Sequence, residues 1–431
     1  MRFISFVLSI FMCLATSVMA ELTVTAPENP DDGFTPVMRF VSTSDTHINT
    51  LGDTGCQRMA KMIKSAYMIS DSDEDYKNLD AVVFSGDITD NGMFNSFAAF
   101  TAITDMELRE GTERLGVIAK NHDSYLYSAY APTVYEKVTG QESDFHKVVN
   151  GFHFIGVSRS KTLAQYSPEQ IQWLDENLAQ AVKESPEKPV FVFQHEHVRD
   201  TVYGSSKSDG WGLEVFTDVL KKYPQAIHIS GHSHFPANDP RAIWQDSFTA
   251  INAGGLGYFE FAVDGKNGIH PDGYKDMTQA LIIEVDADNR VLVRVLDVDK
   301  GVFLREFLID NVADAKKEKY NHDVRKANSV APGFSEDASL KVEKDKMGRY
   351  VVTVPQASVS GDNEVFLYRL TVTDENGKTI HKDWTFSEYY FAQRPDTVSF
   401  DAFLSLKGNF TVTVAAEDVW GNQSETLSAA V

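Results

Sequence analysis

The stretch LGVIAKNHD, residues 115–123, is a short apolar run that ends abruptly in Lys120, Asn121, His122 and Asp123. One Asn or Asp after a strand is ordinary turn chemistry, but an Asn-His-Asp triplet is more than a turn requires. Four further runs end in the same way. VMRFVSTSDTH closes on Asp45 and His47, LDAVVFSGDITD on Asp87 and Asp90, PVFVFQHEH on His195 and His197, and AIHISGHSH on His232 and His234. Six of the twelve histidines lie in these polar ends, which points to a shared ligand rather than to five unrelated turns. Between the runs the apolar residues take helical spacing, over about Gln57–Ile69, Asn95–Leu108 and Pro168–Val182, the last with Ser167 as N-cap. Strands alternating with helices predict an α/β layered domain with buried sheets, whose site forms where the carboxyl ends of the strands converge.

After Phe248 the pattern turns antiparallel, with ALIIEVDADNRVLVRVLD, residues 280–297, reading as a hairpin. Residues 311–335 are charged and poor in apolar side chains, as a linker or a surface helix would be. From 336 to 431 only alternating strands and tight turns remain, the pattern of a small all-β sandwich of the immunoglobulin or fibronectin III sort, separable at that linker. At the other end, Arg2, an apolar run from Phe3 to about Ala15, and Val18-Met19-Ala20 read as a signal peptide over 1–20. A short segment, 21–36, leads into the α/β domain, 37–310. The expectation is an exported protein, periplasmic or extracellular, with Cys56 as its one remaining cysteine and no later run long enough to span a bilayer. The formal charge of −22, from 40 basic and 62 acidic residues, repels nucleic-acid polymers and disfavours that class of partner.

In this order, D-x-H, G-D-x-x-D, N-H-D, H and G-H-x-H resemble the calcineurin-like metallophosphoesterase family over roughly residues 37 to 300. The resemblance implies a four-layer α-β-β-α domain around two divalent metal ions. It implies that Asp45, His47 and His234 hold one ion, that Asn121, His195 and His232 hold the other, and that Asp87 bridges them. His197 shares its strand end with His195 and is the alternative ligand there. Oxygen and nitrogen donors without thiolate suit manganese, iron or zinc. Two divalent ions less Asp45, Asp87 and a hydroxide leave the centre near plus one, attractive to phosphate. A third carboxylate at position 121 would cancel that charge, which gives Asn121 a reason. By the same resemblance His122 is the general acid towards the leaving oxygen, or orients the phosphate, with Asp90 holding its ring. The nucleophile is a metal-held hydroxide attacking phosphorus in line.

Departures from the family narrow the reading. Position 90 is Asp where purple acid phosphatases place an iron-binding tyrosine, no Arg-Gly follows it as in serine/threonine phosphatases, and Asp123-Ser124 replaces the Glu-Phe-Asp of nucleotidases. The expected activity is hydrolysis of a small-molecule or surface phosphoester, a diester in preference to a monoester. The alternative is a catalytically weak metal-binding scaffold whose C-terminal module binds a surface glycan or a protein, with Trp384, Tyr389, Tyr390 and Phe391 as the candidate patch and core packing as the competing use of those rings. Arg199, Tyr203, Arg241 and Trp244 are loop residues near the motifs, Asp123 reads as a loop cap and His228 as a core residue. Lys120 stands where the family usually has glycine: either the loop has relaxed to ordinary φ, or the ammonium reaches substrate.

Overall fold

Strands that are apolar on both faces need cover on both, and the chain meets that need by stacking two sheets. The computed structural model describes residue 24 and residues 33–162, 164–206, 211–401 and 408–431; the signal-peptide segment lies outside them. The first six-stranded sheet runs, edge to edge, Val302–Ile309, Val291–Asp297, Gln279–Asp286, Pro36–Thr43, Ala81–Ser85 and Glu113–Val117. The second runs Ile243–Gln245, Thr249–Asn252, Ala226–Ser230, Val190–Phe193, Phe152–Gly156 and Phe145–Val149. Between them lies one apolar core in which the Phe40 ring meets Phe154 at 5.0 Å and Phe191 at 4.8 Å, both edge-on. The opposite face of the first sheet, with Val41, Val82 and Phe84, packs beneath the helices Thr54–Ser72 and Phe94–Glu107. That of the second, with Ile155 and Val192, packs beneath Pro168–Glu184 through Leu174, Leu178 and Ala181.

Local signals account for the element ends. Ser167 and Gln170 close a reciprocal capping box at the start of Pro168–Glu184, and Asp53 caps Thr54–Ser72 by accepting from the Cys56 amide at 3.0 Å. The hairpin read over 280–297 pairs Gln279–Asp286 with Val291–Asp297 antiparallel. Its first strand also pairs antiparallel with Pro36–Thr43, where buried Arg39 donates Nε to Glu284 at 2.6 Å and Arg294 satisfies the other carboxylate oxygen at 2.5 Å. Burial pushes the Cys56 thiol up to about 11, so it stays a packing residue.

Among the described residues of 336–431, a three-stranded and a four-stranded sheet face each other across Val352, Val354, Tyr368, Leu370, Val412 and Val414. The stretch 311–335 contains the short helix His322–Asn328 and is no free tether, because Val312 and Tyr320 are buried in the core of the α/β domain. The module itself is packed onto that domain. Phe259, Phe261 and Val263 share an apolar cluster with Phe366, Phe386, Tyr389, Tyr390 and Trp420. Arg305 pairs across the join with Asp362 at 2.6 Å and Glu364 at 2.5 Å. Of the four rings read as a possible glycan patch, Tyr389 and Tyr390 are buried here, and Trp384 and Phe391 pack against the same cluster.

Truncation after residue 335 would strip that cluster of its cover and expose Phe259 and Phe261. The expected outcome is loss of soluble, cooperatively melting protein, read by size-exclusion profile and thermal denaturation. A monodisperse truncated chain with unchanged melting temperature would contradict it.

Candidate metal centre

Five of the seven candidate ligands sit in the left-handed region that L-residues avoid: Asp45 at φ 51°, His47 at 49°, Asp87 at 45°, His232 at 73° and His234 at 55°. Each costs on the order of 1–2 kcal/mol, and such strain persists only where the surroundings hold it. Backbone bonds between loops supply that hold. Asp45 N donates to the Gly86 carbonyl at 3.1 Å, His47 N to that of Asp87 at 3.1 Å, and Gly231 N to that of His195 at 2.9 Å. The glycines of G-D and G-H are required by close approach. A Cβ on Gly86, itself at φ 86°, would lie 2.5 Å from His195 Nδ1, and one on Gly231 would lie 1.9 Å from Ser44 Oγ and 2.5 Å from Asp45 Oδ2.

The side chains gather in two sets, each with its ligand atoms within 4.8 Å of one another: Asp45, His47 and His234, and Asp87, His195 and His232. In the first, His47 Nε2 is 3.3 Å and Asp45 Oδ1 3.2 Å from His234 Nε2. In the second, His195 Nε2 is 3.3 Å from Asp87 Oδ2. Asp45 Oδ2 joins the sets by accepting from the His232 amide at 3.0 Å. Asn121 donates Nδ2 to Asp87 Oδ2 at 2.7 Å, which leaves its carbonyl oxygen for another partner. An aspartate in its place would repel Asp87, a reason for the amide beyond the net charge of the centre.

Second partners fix the imidazole tautomers. His195 Nδ1 lies 2.9 Å from the Ser85 carbonyl and His234 Nδ1 3.1 Å from that of Tyr258; a carbonyl only accepts, so Nδ1 carries a hydrogen and Nε2 is the nitrogen turned inward, the one that would give up its proton to a cation. Asp45 Oδ1, Asp87 Oδ1, Asn121 Oδ1 and His195 Nε2 are all buried without a hydrogen bond. Buried polar atoms are rarely left so, and four in one place, all oxygen or nitrogen, fit divalent cations of the manganese, iron or zinc kind. Burial opposes the charge on Asp45, yet His234, His195 and His47 hold its carboxyl well below the usual range, while burial pushes the His232 ring down to about 4.

His122 stands at the rim, 29% exposed, its ring 4.5 Å from that of His47. Its Nδ1 is 3.0 Å from the Asp90 carbonyl and 3.5 Å from the Asp90 carboxylate, which also lies 3.6 Å from His47 Nδ1. Asp90 thus touches both a candidate ligand and the candidate acid. His197 spends both ring nitrogens on Ser230 and Ser233, each at 2.8 Å, and braces the His232–His234 turn from behind. Asp123 does more than cap a loop. It accepts from the amides of Thr89 at 2.8 Å, Ala119 at 3.0 Å and Ile88 at 3.2 Å, and from the Thr89 hydroxyl at 2.9 Å, stapling the Asp87 loop to the Asn121 loop. Tyr258, stacked 4.0 Å from the His234 ring, has no strand-end motif to announce it. Lys120 is exposed and outside the left-handed region. Arg199 pairs with Glu214, Trp244 packs on Phe248, and His228 is buried with one ring nitrogen 3.2 Å from Gln194.

The sequence pattern of calcineurin-like phosphoesterases matches residues 38–236, the span that holds every one of these candidate ligands. The chain carries a calcineurin-like phosphoesterase domain. Among solved structures, a purple acid phosphatase from yellow lupin (Lupinus luteus) seeds is 16% identical with a TM-score of 0.47, covering 65% of this chain; the chain spans 55% of its length. An endonuclease/exonuclease/phosphatase from Beutenbergia cavernae is 10% identical with a TM-score of 0.23, over 91% of this chain and 99% of the other. No curated protein sequence matches.

In the phosphoesterase domain, Gly231→Ala should force Ser44 and Asp45 aside. Overpacking of this kind costs about 1–3 kcal/mol. The expected result is a lower melting temperature with reduced metal content by elemental analysis; wild-type values for both would show that the turn tolerates a side chain.

Proposed function

We propose that the protein is a metal-dependent phosphoester hydrolase, acting on diesters in preference to monoesters. The observation that carries this reading is the set of four buried, orphaned ligand atoms on Asp45, Asp87, Asn121 and His195, ringed by His47, His232 and His234. Asp45, His47 and His234 would hold one divalent ion and Asn121, His195 and His232 a second, with Asp87 between them. Two such ions supply charge neutralisation at phosphorus and an activated water. The domain fits a four-layer α-β-β-α arrangement, and the C-terminal module fits an immunoglobulin or fibronectin III-like sandwich. Export through the segment 1–20 remains part of the proposal; no helix among the described residues is long and apolar enough to cross a membrane.

The chain's own residues perform the rest. His122 Nδ1–H points to the Asp90 carbonyl, so Nε2 is the atom that carries the mobile proton to the leaving oxygen, and the Asp90 carboxylate, 3.5 Å from Nδ1, holds the ring in that orientation. The diester preference rests on charge. Arg58 is committed to the Leu256 and Gly257 carbonyls, Arg199 to Glu214 and Arg241 to Asp239, so these guanidiniums do not serve the second negative charge of a monoester. Tyr125, 67% exposed with its ring 5.5 Å from that of His122, gives the second ester substituent an apolar surface. The scaffold alternative loses its binding patch, because Tyr389 and Tyr390 are buried against the phosphoesterase domain.

Chelation should abolish turnover of generic mono- and diesters, and manganese or zinc should restore it; full activity in protein shown metal-free by elemental analysis would overturn the proposal. His122→Ala should lower kcat by about 10²- to 10⁴-fold with metal content intact, most for poor leaving groups, whereas Asp87→Ala should lose metal. Equal metal loss in both variants would remove the distinction between acid and ligand. Lys120 has no strained backbone to relieve, so Lys120→Gly should leave KM unchanged at low and high ionic strength, as steady-state kinetics would show.

A further inference from the structure

The chain that leaves His234 is gripped from the C-terminal module. Asp239, fully buried, accepts from the Arg241 amide at 2.8 Å, from its Nε at 2.9 Å and its Nη2 at 2.7 Å, and from the hydroxyl of Tyr389. Arg241 donates Nη1 to the Val419 carbonyl at 3.0 Å, and its guanidinium lies 3.7 Å from the centre of the Tyr203 ring and 4.9 Å from that of Phe366. One residue back from Asp239, the Asn238 carbonyl accepts from Arg305 Nε at 2.7 Å, and the other nitrogens of that guanidinium are held by Asp362 and Glu364. Phe235, next to His234, packs its ring 4.4 Å from Tyr203. Tyr389, Val419, Phe366, Asp362 and Glu364 all belong to the module. Nothing about ordinary domain docking requires the contacts to fall on the few residues that follow a ligand.

We propose that the C-terminal module is a positioning part of the metal centre, acting through Tyr389 and Asp239 on His234. His232 and His234 hold left-handed backbones that the turn would leave if it were free. From within the domain the turn is braced by His197 on Ser233 and by Gln279 on the Ala237 amide at 2.7 Å. Its exit is fixed by Asp239, whose carboxylate caps the turn Pro240–Ala242 and is oriented by a forked, charge-assisted pair with Arg241. The Tyr389 hydroxyl is the module's direct bond to that carboxylate. Without it the carboxylate is held by Arg241 alone, the exit of the turn loses its direct tie to the module, and the His234 imidazole shifts from the register in which its Nε2 faces Asp45 and His47. The inference rests on the metal-centre reading above.

The test uses the full chain, stripped of metal and titrated with Co²⁺, with visible absorption reporting coordination geometry and chelator competition reporting affinity. Tyr389→Phe removes one hydroxyl and should weaken cobalt binding about 10-fold, the low end for groups behind the ligands, and alter the absorption bands, with unchanged circular dichroism. Asp239→Asn should do at least as much. Arg369→Met is the control: it breaks a pair between the module and Asp264, at 2.8 Å, that does not touch the ligand turn, and it should leave affinity and spectrum as in the wild type. Wild-type cobalt binding in both Tyr389→Phe and Asp239→Asn, or an equal shift in Arg369→Met, would reduce the module to general cover and overturn the inference alone. A wild-type chain that takes up no cobalt would overturn the metal centre and the inference together.

Discussion

Two carboxylates with no solvent exposure, Asp45 and Asp87, face four imidazoles across a space too small to leave them unpaired. Burying an ionised carboxylate without compensation is among the most expensive acts in folding, so the surroundings of this pair must be organised around a neutralising charge. Much of the local architecture follows. Hydrogen-bonded loops hold left-handed residues in place, glycines stand where a methyl group would strike a candidate ligand, and backbone carbonyls dictate which nitrogen of His195 and His234 faces inward. The sheets matter to the site chiefly because they deliver five strand ends to one place.

How much of this could be read from the chain depends on how local the signal is. Apolar runs that break into Asp, His and Asn are contiguous in sequence, so the strand ends and helices were legible, the helix read over 57–69 extending in the fold to Thr54–Ser72 and that over 95–108 lying at Phe94–Glu107. The grouping of Asp45 with His47 needed only a two-residue spacing. Asp123 is the opposite case: its bonds reach back 34 and 35 residues to Thr89 and Ile88, and nothing in N-H-D says that the third residue turns away from the site to bind another loop. Tyr258 and the module's hold on Asp239 are equally invisible, the latter joining residues 150 apart. The stretch 311–335 looks open by composition because it is charged, yet Val312 and Tyr320 are buried in the core and Lys317 and Arg325 bond the Pro224 and Pro240 carbonyls.

The aromatic run from Trp384 to Phe391 shows why composition alone cannot separate a binding surface from a buried one. The same rings serve either purpose, and what decides is whether an apolar partner faces them. Here Phe261 does, with ring centres 4.7 Å from both Phe386 and Tyr390. A module that could have been an independent binding unit is instead packed against the domain beside it.

The order of strands in the first sheet sets a timetable for the molecule. Pro36–Thr43 lies between Ala81–Ser85 and Gln279–Asp286, and Arg39 bonds Glu284 across 245 residues of chain. As the polypeptide emerges from the ribosome, Asp45, His47, Asp87 and Asn121 are all made long before the strand that closes the sheet beneath them. Such distant pairing is slow, because the entropy of loop closure is lost before any contact repays it. In the nascent N-terminal half those carboxylates and imidazoles are therefore exposed to water, without the sheet that gathers them in the finished chain.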